Sequence, residues 1–250
     1  APGEDARLFD TVTAISTLCQ QIGISIPVGK DSLSMRTAWE EKGEQRQVVA
    51  PLSLIVTAFG RVGDVRKTLT PQLINDDQTE VLLIDLGQQR LGGSALAQVF
   101  NATGEEVPDV DDPAQLKALF NAIQQLNNDG LLLAYHDRSD GGLFAAACEM
   151  AFAGHCGLTL DLAASDFADQ MRALFNEETG VLIQIRRADL AKIKAFLEQA
   201  GLPCCSVGSP NNSDDIRIVA GGKVLLAESR ISLQRAWSET SFRMQQLRDN

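Results

Sequence analysis

The sequence predicts a mixed α/β fold, a βα fragment followed by a longer stretch in α/β layer order, and three observations carry that expectation. From residue 80 onward, short apolar runs of strand length alternate with segments of helical period. A stretch rich in charges and turn formers, Asp64 to Gln78, interrupts the chain with Thr70-Pro71 and Asn75-Asp76-Asp77. The 250 residues are 44% hydrophobic and 22% charged, which is ordinary globular usage over enough length to bury a core.

The first part opens on an amphipathic helix, because Leu8, Val12, Ile15, Cys19 and Ile22 recur at helical spacing. Ile24 to Val28 follows as a short strand, Gly29 to Met35 as a loop and Val48 to Val62 as a strongly apolar strand region. This reads as a βα unit that lacks its beginning. The second part starts with a strand near Val81 to Leu86. Helices are expected near Ser94 to Phe100 and over Pro113 to Asn128, then a strand over Leu131 to Tyr135 and a helix over Gly142 to Ala153. Strand Leu158 to Leu162, a helix near Phe167 to Asn176, strand Val181 to Ile185 and helix Ala188 to Ala200 continue the alternation. Strands near Ile216 to Val219 and Val224 to Leu226 precede a polar helix from Ile231, which carries Leu233, Trp237 and Phe242 to the last residue. The domains are drawn at 1–68, 69–229 and 230–250.

Charge and cysteine usage narrow the function. Lys plus Arg number 22 against 33 Asp plus Glu, and a net charge of -11 opposes attraction to nucleic acid or to anionic membranes. Aromatics are 5%, too few for a base-stacking surface. Neither a signal peptide nor a membrane-length apolar run is present, so a cytoplasmic location is expected. Cys19, Cys148, Cys156, Cys204 and Cys205 are odd in number and form no CxxC pair, so they read as reduced thiols, the adjacent Cys204 and Cys205 as buried filler. Cys204 and Cys205 point to opposite faces if they lie on a strand.

Two polar clusters each follow an apolar strand. In Pro27-Val-Gly-Lys-Asp-Ser-Leu-Ser-Met35, Gly29 permits close backbone approach and Lys30 offers a counter-charge to phosphate. Asp31 and Ser32 offer oxygens for a metal or a hydrogen bond. It is not a GxxxxGK[ST] loop, and an ordinary turn is the competing reading. In His136-Asp-Arg-Ser-Asp-Gly-Gly-Leu143, the cluster lies between a strand end and a helix N-terminus, where amides and the helix dipole favour phosphates. Asp137 and Asp140 suit Mg²⁺ bridging such phosphates. The competing reading has Asp140 or Ser139 capping the helix while His136 packs on the strand end. Asn176-Glu-Glu-Thr-Gly180 reads as a solvated turn.

At these residues a resemblance becomes specific. Val28-Gly-Lys-Asp-Ser-Leu-Ser-Met35, His136-Asp-Arg-Ser-Asp-Gly-Gly-Leu143 and the tail Ala236-Trp-Ser-Glu-Thr-Ser-Phe-Arg-Met244 together resemble the phosphoribosylformylglycinamidine synthase family in its large single-chain form, across essentially the whole chain. That family belongs to the PurM-like superfamily of aminoimidazole ribonucleotide synthetases, which pairs a smaller sheet domain with a larger α/β domain. The resemblance implies the end of a second small domain, a whole second large domain, and a helix leading toward a glutaminase domain. It also implies an upstream PurM-like half as partner and an ATP-dependent carbon–nitrogen ligase using formylglycinamide ribonucleotide, ATP and glutamine, with this segment inactive alone. By motif, Gly29, Lys30, Asp31 and Ser32 fall on a substrate and nucleotide loop, Lys30 standing where small-subunit relatives carry Asn. Asp137 falls where Mg²⁺ is held, and Ser139 where an auxiliary ATP or ADP is bound. Another PurM-like synthetase or kinase, or a catalytically silent scaffold half, remains the alternative.

Overall fold

The computed structural model describes residues 3–30, 35–162 and 170–249. Within it the chain divides into two compact units, residues 1–63 and 64–250. The first unit begins with helix α1 (Glu4–Ile22), which ends where Gly23 takes a left-handed φ of 80° and donates its amide to the Cys19 carbonyl. The expected apolar stripe is only partly covered, with Cys19 buried but Val12 exposed. Strands β1 (Arg36–Glu41) and β2 (Glu44–Val49) form an antiparallel hairpin. Its two-residue turn, Lys42-Gly43, has positive φ at both positions, 53° and 83°, the geometry that matches strand twist.

This hairpin departs from the sequence expectation. Ile24 to Val28 carries no strand, and the apolar run 48–62 forms one only over its first two residues. Residues 50–62 have no partner strand among the described residues, and Ile55 and Phe59 stand 90% and 94% exposed. A strand exists only where neighbouring backbone takes its hydrogen bonds, so apolar content alone does not make one.

The second unit is built on a seven-stranded sheet. Its strands are β3 (Thr79–Asp85), β4 (Ala134–Asp137), β5 (Gly157–Asp161), β6 (Gly180–Arg186), β7 (Cys204–Asn211), β8 (Asp215–Ala220) and β9 (Lys223–Ser229), in the order β4-β6-β3-β7-β5-β8-β9. All pairings are antiparallel except β5 with β8. The helices are α2 (Ala95–Val99), α3 (Pro113–Asn128), α4 (Gly142–Gly154), α5 (Gln170–Phe175), α6 (Leu190–Gln199) and α7 (Arg230–Asp249). Helix α3 starts where Pro113 fills the first turn and the Asp112 carboxylate accepts from the Ala114 amide.

The alternation along β3 sorts two cores. Leu82 and Ile84 pack with Leu119 and Leu126 of α3 and Ile193 and Leu197 of α6, whereas Val81 and Leu83 pack with Leu143, Ala147 and Met150 of α4. The sheet is therefore covered on both faces. Cys204 and Cys205 divide the same way, one on each core, as their adjacency on a strand requires. Gln184, fully buried on β6, exchanges two hydrogen bonds with the Ile74 backbone (2.8 and 2.7 Å) and donates to Thr79 Oγ1 (2.7 Å). Its polar groups are satisfied, and it ties the segment entering β3 to the sheet.

Strand β7 was not among the expected strands, because Gly208, Ser209, Pro210 and Asn211 hide its pattern. The expected strand over Leu131 to Tyr135 begins three residues later, at Ala134. Helix α7 starts on Arg230, whose guanidinium spans both Asp214 oxygens (2.6 and 3.3 Å). Its Trp237 ring packs against Phe152 of α4 at 6.0 Å.

Candidate functional site

The turn between β4 and α4 is placed by its two ends. Arg138 donates its amide to the Gly180 carbonyl (2.8 Å), which continues the pairing of edge strand β4 with β6. Gly141 and Gly142 take left-handed φ of 82° and 67°, and a Cβ on Gly142 would meet the Asn176 carbonyl oxygen at 2.7 Å. Glycine is therefore required to bring the chain past residues 174–176 and into α4. Because β4 pairs antiparallel with β6, the site is not a crevice between parallel strands. What remains of the sequence argument is the helix N-terminus.

Asp137 is exposed at the end of β4, and its carboxylate accepts from the Tyr135 hydroxyl at 2.5 Å. Burial, and then that hydrogen bond, push the Tyr135 phenol above its ordinary pKa, so the hydroxyl stays a donor and the carboxylate an acceptor. Ser139 and Asp140 are also exposed. Neither side chain caps α4, contrary to the competing sequence reading. His136 is half-buried, with Nε2 at 2.8 Å from Glu149 Oε2, while Glu149 Oε1 accepts from Trp237 Nε1 at 2.9 Å. The strand end that carries Asp137 is thereby linked to α7.

Arg138, between the two candidate residues, points inward rather than toward a ligand. Its side chain is fully buried, donates to the Glu178 and Thr179 carbonyls (2.8 and 3.1 Å) and pairs with Asp85. The segment 176–180 is also turned inward. Asn176 and Glu178 are 0% and 1% exposed, so the expected solvated turn is instead the centre of the loop cluster. Glu178 accepts from the amides of Gln88 (2.5 Å) and Arg90 (3.0 Å) and pairs with the Arg90 guanidinium, which reaches on to Asp111 at 2.7 Å. A Cβ on Gly87 would lie 2.6 Å from Glu178 Cβ, so glycine is what lets the loop close over the carboxylate. The pairing of Arg90 with Glu178 is not legible in the sequence, because the two residues stand 88 positions apart.

In the first unit, Gly29 and Lys30 lie exposed in a stretch without regular structure, while Asp31 and Ser32 fall outside the described residues. Among the described residues no group of three or more His, Cys, Asp or Glu side chains forms a metal cluster. Asp137 still fits Mg²⁺ in one respect, since Mg²⁺ bound through phosphates keeps several waters and needs one or two protein carboxylates. A separate cleft, lined by Lys194, Glu198, Leu202 and Cys204, contains none of these residues. No described helix is long and apolar enough to cross a membrane.

The family models decide the lineage. Residues 80–221 match the AIR synthase related protein, C-terminal domain, over more than half of the chain. The chain belongs to the AIR synthase related protein family. Residues 1–61 match the FGAR-AT PurM_N-like domain. Solved structures from Thermotoga maritima share the chain's fold. PurL complexed with FGAR is 14% identical at a TM-score of 0.63, with 88% of this chain and 36% of that one covered. Phosphoribosylformylglycinamidine synthase II is 13% identical at 0.61, covering 88% and 34%. PurL complexed with ATP is 13% identical at 0.55, covering 76% and 28%. The chain thus spans about a third of the length of the solved chains it matches.

Proposed function

We propose that this AIR-synthase-related chain serves an ATP-dependent amidoligase of purine biosynthesis, which converts formylglycinamide ribonucleotide, ATP and glutamine-derived ammonia to the amidine, ADP and phosphate. The carrying observation is the order of the two family matches, FGAR-AT PurM_N-like before AIR synthase C-terminal. Structures of PurL with FGAR, ATP and ADP support the choice of ligands. In such a reaction ATP activates the amide oxygen and ammonia displaces phosphate, so catalysis rests on positioning and charge neutralisation. We assign residues 1–68 to the end of a small PurM-like domain, 69–229 to the large one and 230–250 to a helix toward a glutaminase domain. The upstream half is needed for turnover, and the chain alone is inactive.

Within the large domain, Asp137 and Ser139 would hold an auxiliary nucleotide, Asp137 through Mg²⁺ and Ser139 through a phosphate oxygen. Such a nucleotide supplies charge and contacts that stabilise the loop cluster. Tyr135 orients the carboxylate, and the first turn of α4 offers a favourable dipole to the phosphates. Gly29, Lys30, Asp31 and Ser32 would form the loop that approaches substrate. The test is a thermal melt of the chain with and without Mg·ADP. A ligand bound at 100 times its Kd adds about 2.7 kcal/mol. Asp137→Ala should abolish most of that shift, and an unchanged shift in the variant would remove Asp137 from the site.

A further inference from the structure

Glu177 stands between two buried residues whose contacts hold it in place. Asn176 donates through Nδ2 to the Arg172 carbonyl (2.7 Å), and Glu178 is fixed by the 88–90 backbone and Arg90. Between them, one oxygen of the half-buried Glu177 carboxylate, Oε1, accepts from two amides at once. They are Ala95 N at 2.8 Å, where α2 begins, and Gly141 N at 2.7 Å, where α4 begins. The turns so joined are Gly92-Gly93-Ser94 and Asp137–Gly141. The first is itself tied down, by Gly92 N to the Glu106 carbonyl and Gly93 N to the Thr103 carbonyl, both 2.6 Å. Charge-assisted hydrogen bonds of this kind are about twice as strong as neutral ones, and the positive ends of both helices favour the carboxylate.

We propose that Glu177 is a positioning residue that couples the two turns, so that a nucleotide held at Asp137 and Ser139 also orders the backbone at 92–97. This rests on the nucleotide reading above, and the coupling follows from one carboxylate oxygen serving both amides. Ordering one end of the bridge then reduces what ordering the other end costs. Glu177 touches no ligand in this scheme. It fixes where the Gly-Gly-Ser turn stands when the site is filled.

Amide hydrogen exchange on the chain, free and with Mg·ADP, tests the bridge in two steps. In the free chain, Glu177→Ala should speed exchange at Ala95 and Gly141 together, by roughly tenfold, the factor corresponding to about 1.4 kcal/mol. Glu177→Gln keeps an acceptor oxygen at the same reach and should return both amides close to the wild-type rate. Faster exchange at only one amide, or no rescue by Gln, overturns the bridge. With Mg·ADP, slowing should appear at 137–142 and at 94–97 in wild type and Glu177→Gln, and be lost at 94–97 alone in Glu177→Ala. Slowing at 94–97 that survives in Glu177→Ala overturns the coupling. If Mg·ADP slows nothing at 137–142 in wild type, the nucleotide reading fails and the coupling with it. The free-chain exchange still decides whether the bridge exists.

Discussion

Two apolar runs of the molecule look alike and end differently. Leu54-Ile55-Val56 in the first unit are all more than half exposed or close to it, whereas Val81-Leu82-Leu83-Ile84 in the second are 0% exposed. Strand β3 has β6 on one side and β7 on the other, and helices cover both of its faces. The first run has no partner strand among the described residues. Composition sets the tendency to be buried, but only backbone partners and facing helices realise it.

The largest expected effect breaks that comparison at its strongest point. Leu82→Ala should cost about 2–5 kcal/mol, because it leaves a cavity in a closed core, while Ile55→Ala should change stability by less than about 0.5 kcal/mol. The chain has two tryptophans, and they report on the units separately, Trp39 from β1 and Trp237 from α7. Urea unfolding of Leu82→Ala in a Trp39→Phe background, followed by Trp237 fluorescence, should show a lowered midpoint. Equal losses for Leu82→Ala and Ile55→Ala would mean the two runs are buried alike.

The same contrast explains what the sequence made legible. Helices α3 and α4 and strands β3 and β6 lie within a residue or two of expectation, since periodic apolar residues and local caps mark them. The hairpin β1–β2 escaped because its residues are largely polar and exposed, leaving Lys42-Gly43 as the only sequence signal for it. At the candidate site, the position of Asp137 and Ser139 between strand and helix was readable from local order. The Glu177 and Glu178 contacts were not, because their partners lie 36 to 90 residues away. Two adjacent carboxylates look solvated until the loops that bury them are known.

An intermediate effect separates the units by pH. Burial first, then the nearby Glu149 carboxylate, pushes the Cys148 thiol up to about 12 from 9.0, and burial carries Cys205 to about 11. Below pH 9 the thiol is protonated in folded and unfolded chains alike, and its stabilising contribution is fully present. Between pH 9 and about 12 the unfolded chain gives up the proton and the folded one keeps it, so stability falls as pH rises. For Cys148 the loss from pH 9 to 10.5 is on the order of 1 kcal/mol. Urea midpoints followed by Trp237 should decline over that range, and Cys148→Ala should flatten the decline. An unaltered slope in Cys148→Ala would show that this thiol is not the group responsible.

The smallest expected effect falls on the first unit. Lys30 is exposed and lies in a stretch without regular structure, so Lys30→Ala should move the melting temperature by no more than the equivalent of about 0.5 kcal/mol. If the loop approaches substrate in the amidoligase, the same change should lower the rate of the chemical step, by tenfold for each 1.4 kcal/mol of transition-state stabilisation lost. The Mg·ADP shift that depends on Asp137 should stay as in wild type, because Lys30 is not among the residues proposed to hold that nucleotide. Single-turnover kinetics of the proposed intact amidoligase, run beside melts of the chain, distinguish the outcomes. A wild-type rate places the loop away from the reacting phosphoryl group. A large drop in melting temperature would instead make Lys30 a structural residue, and the first unit better packed than the exposure of its apolar side chains implies.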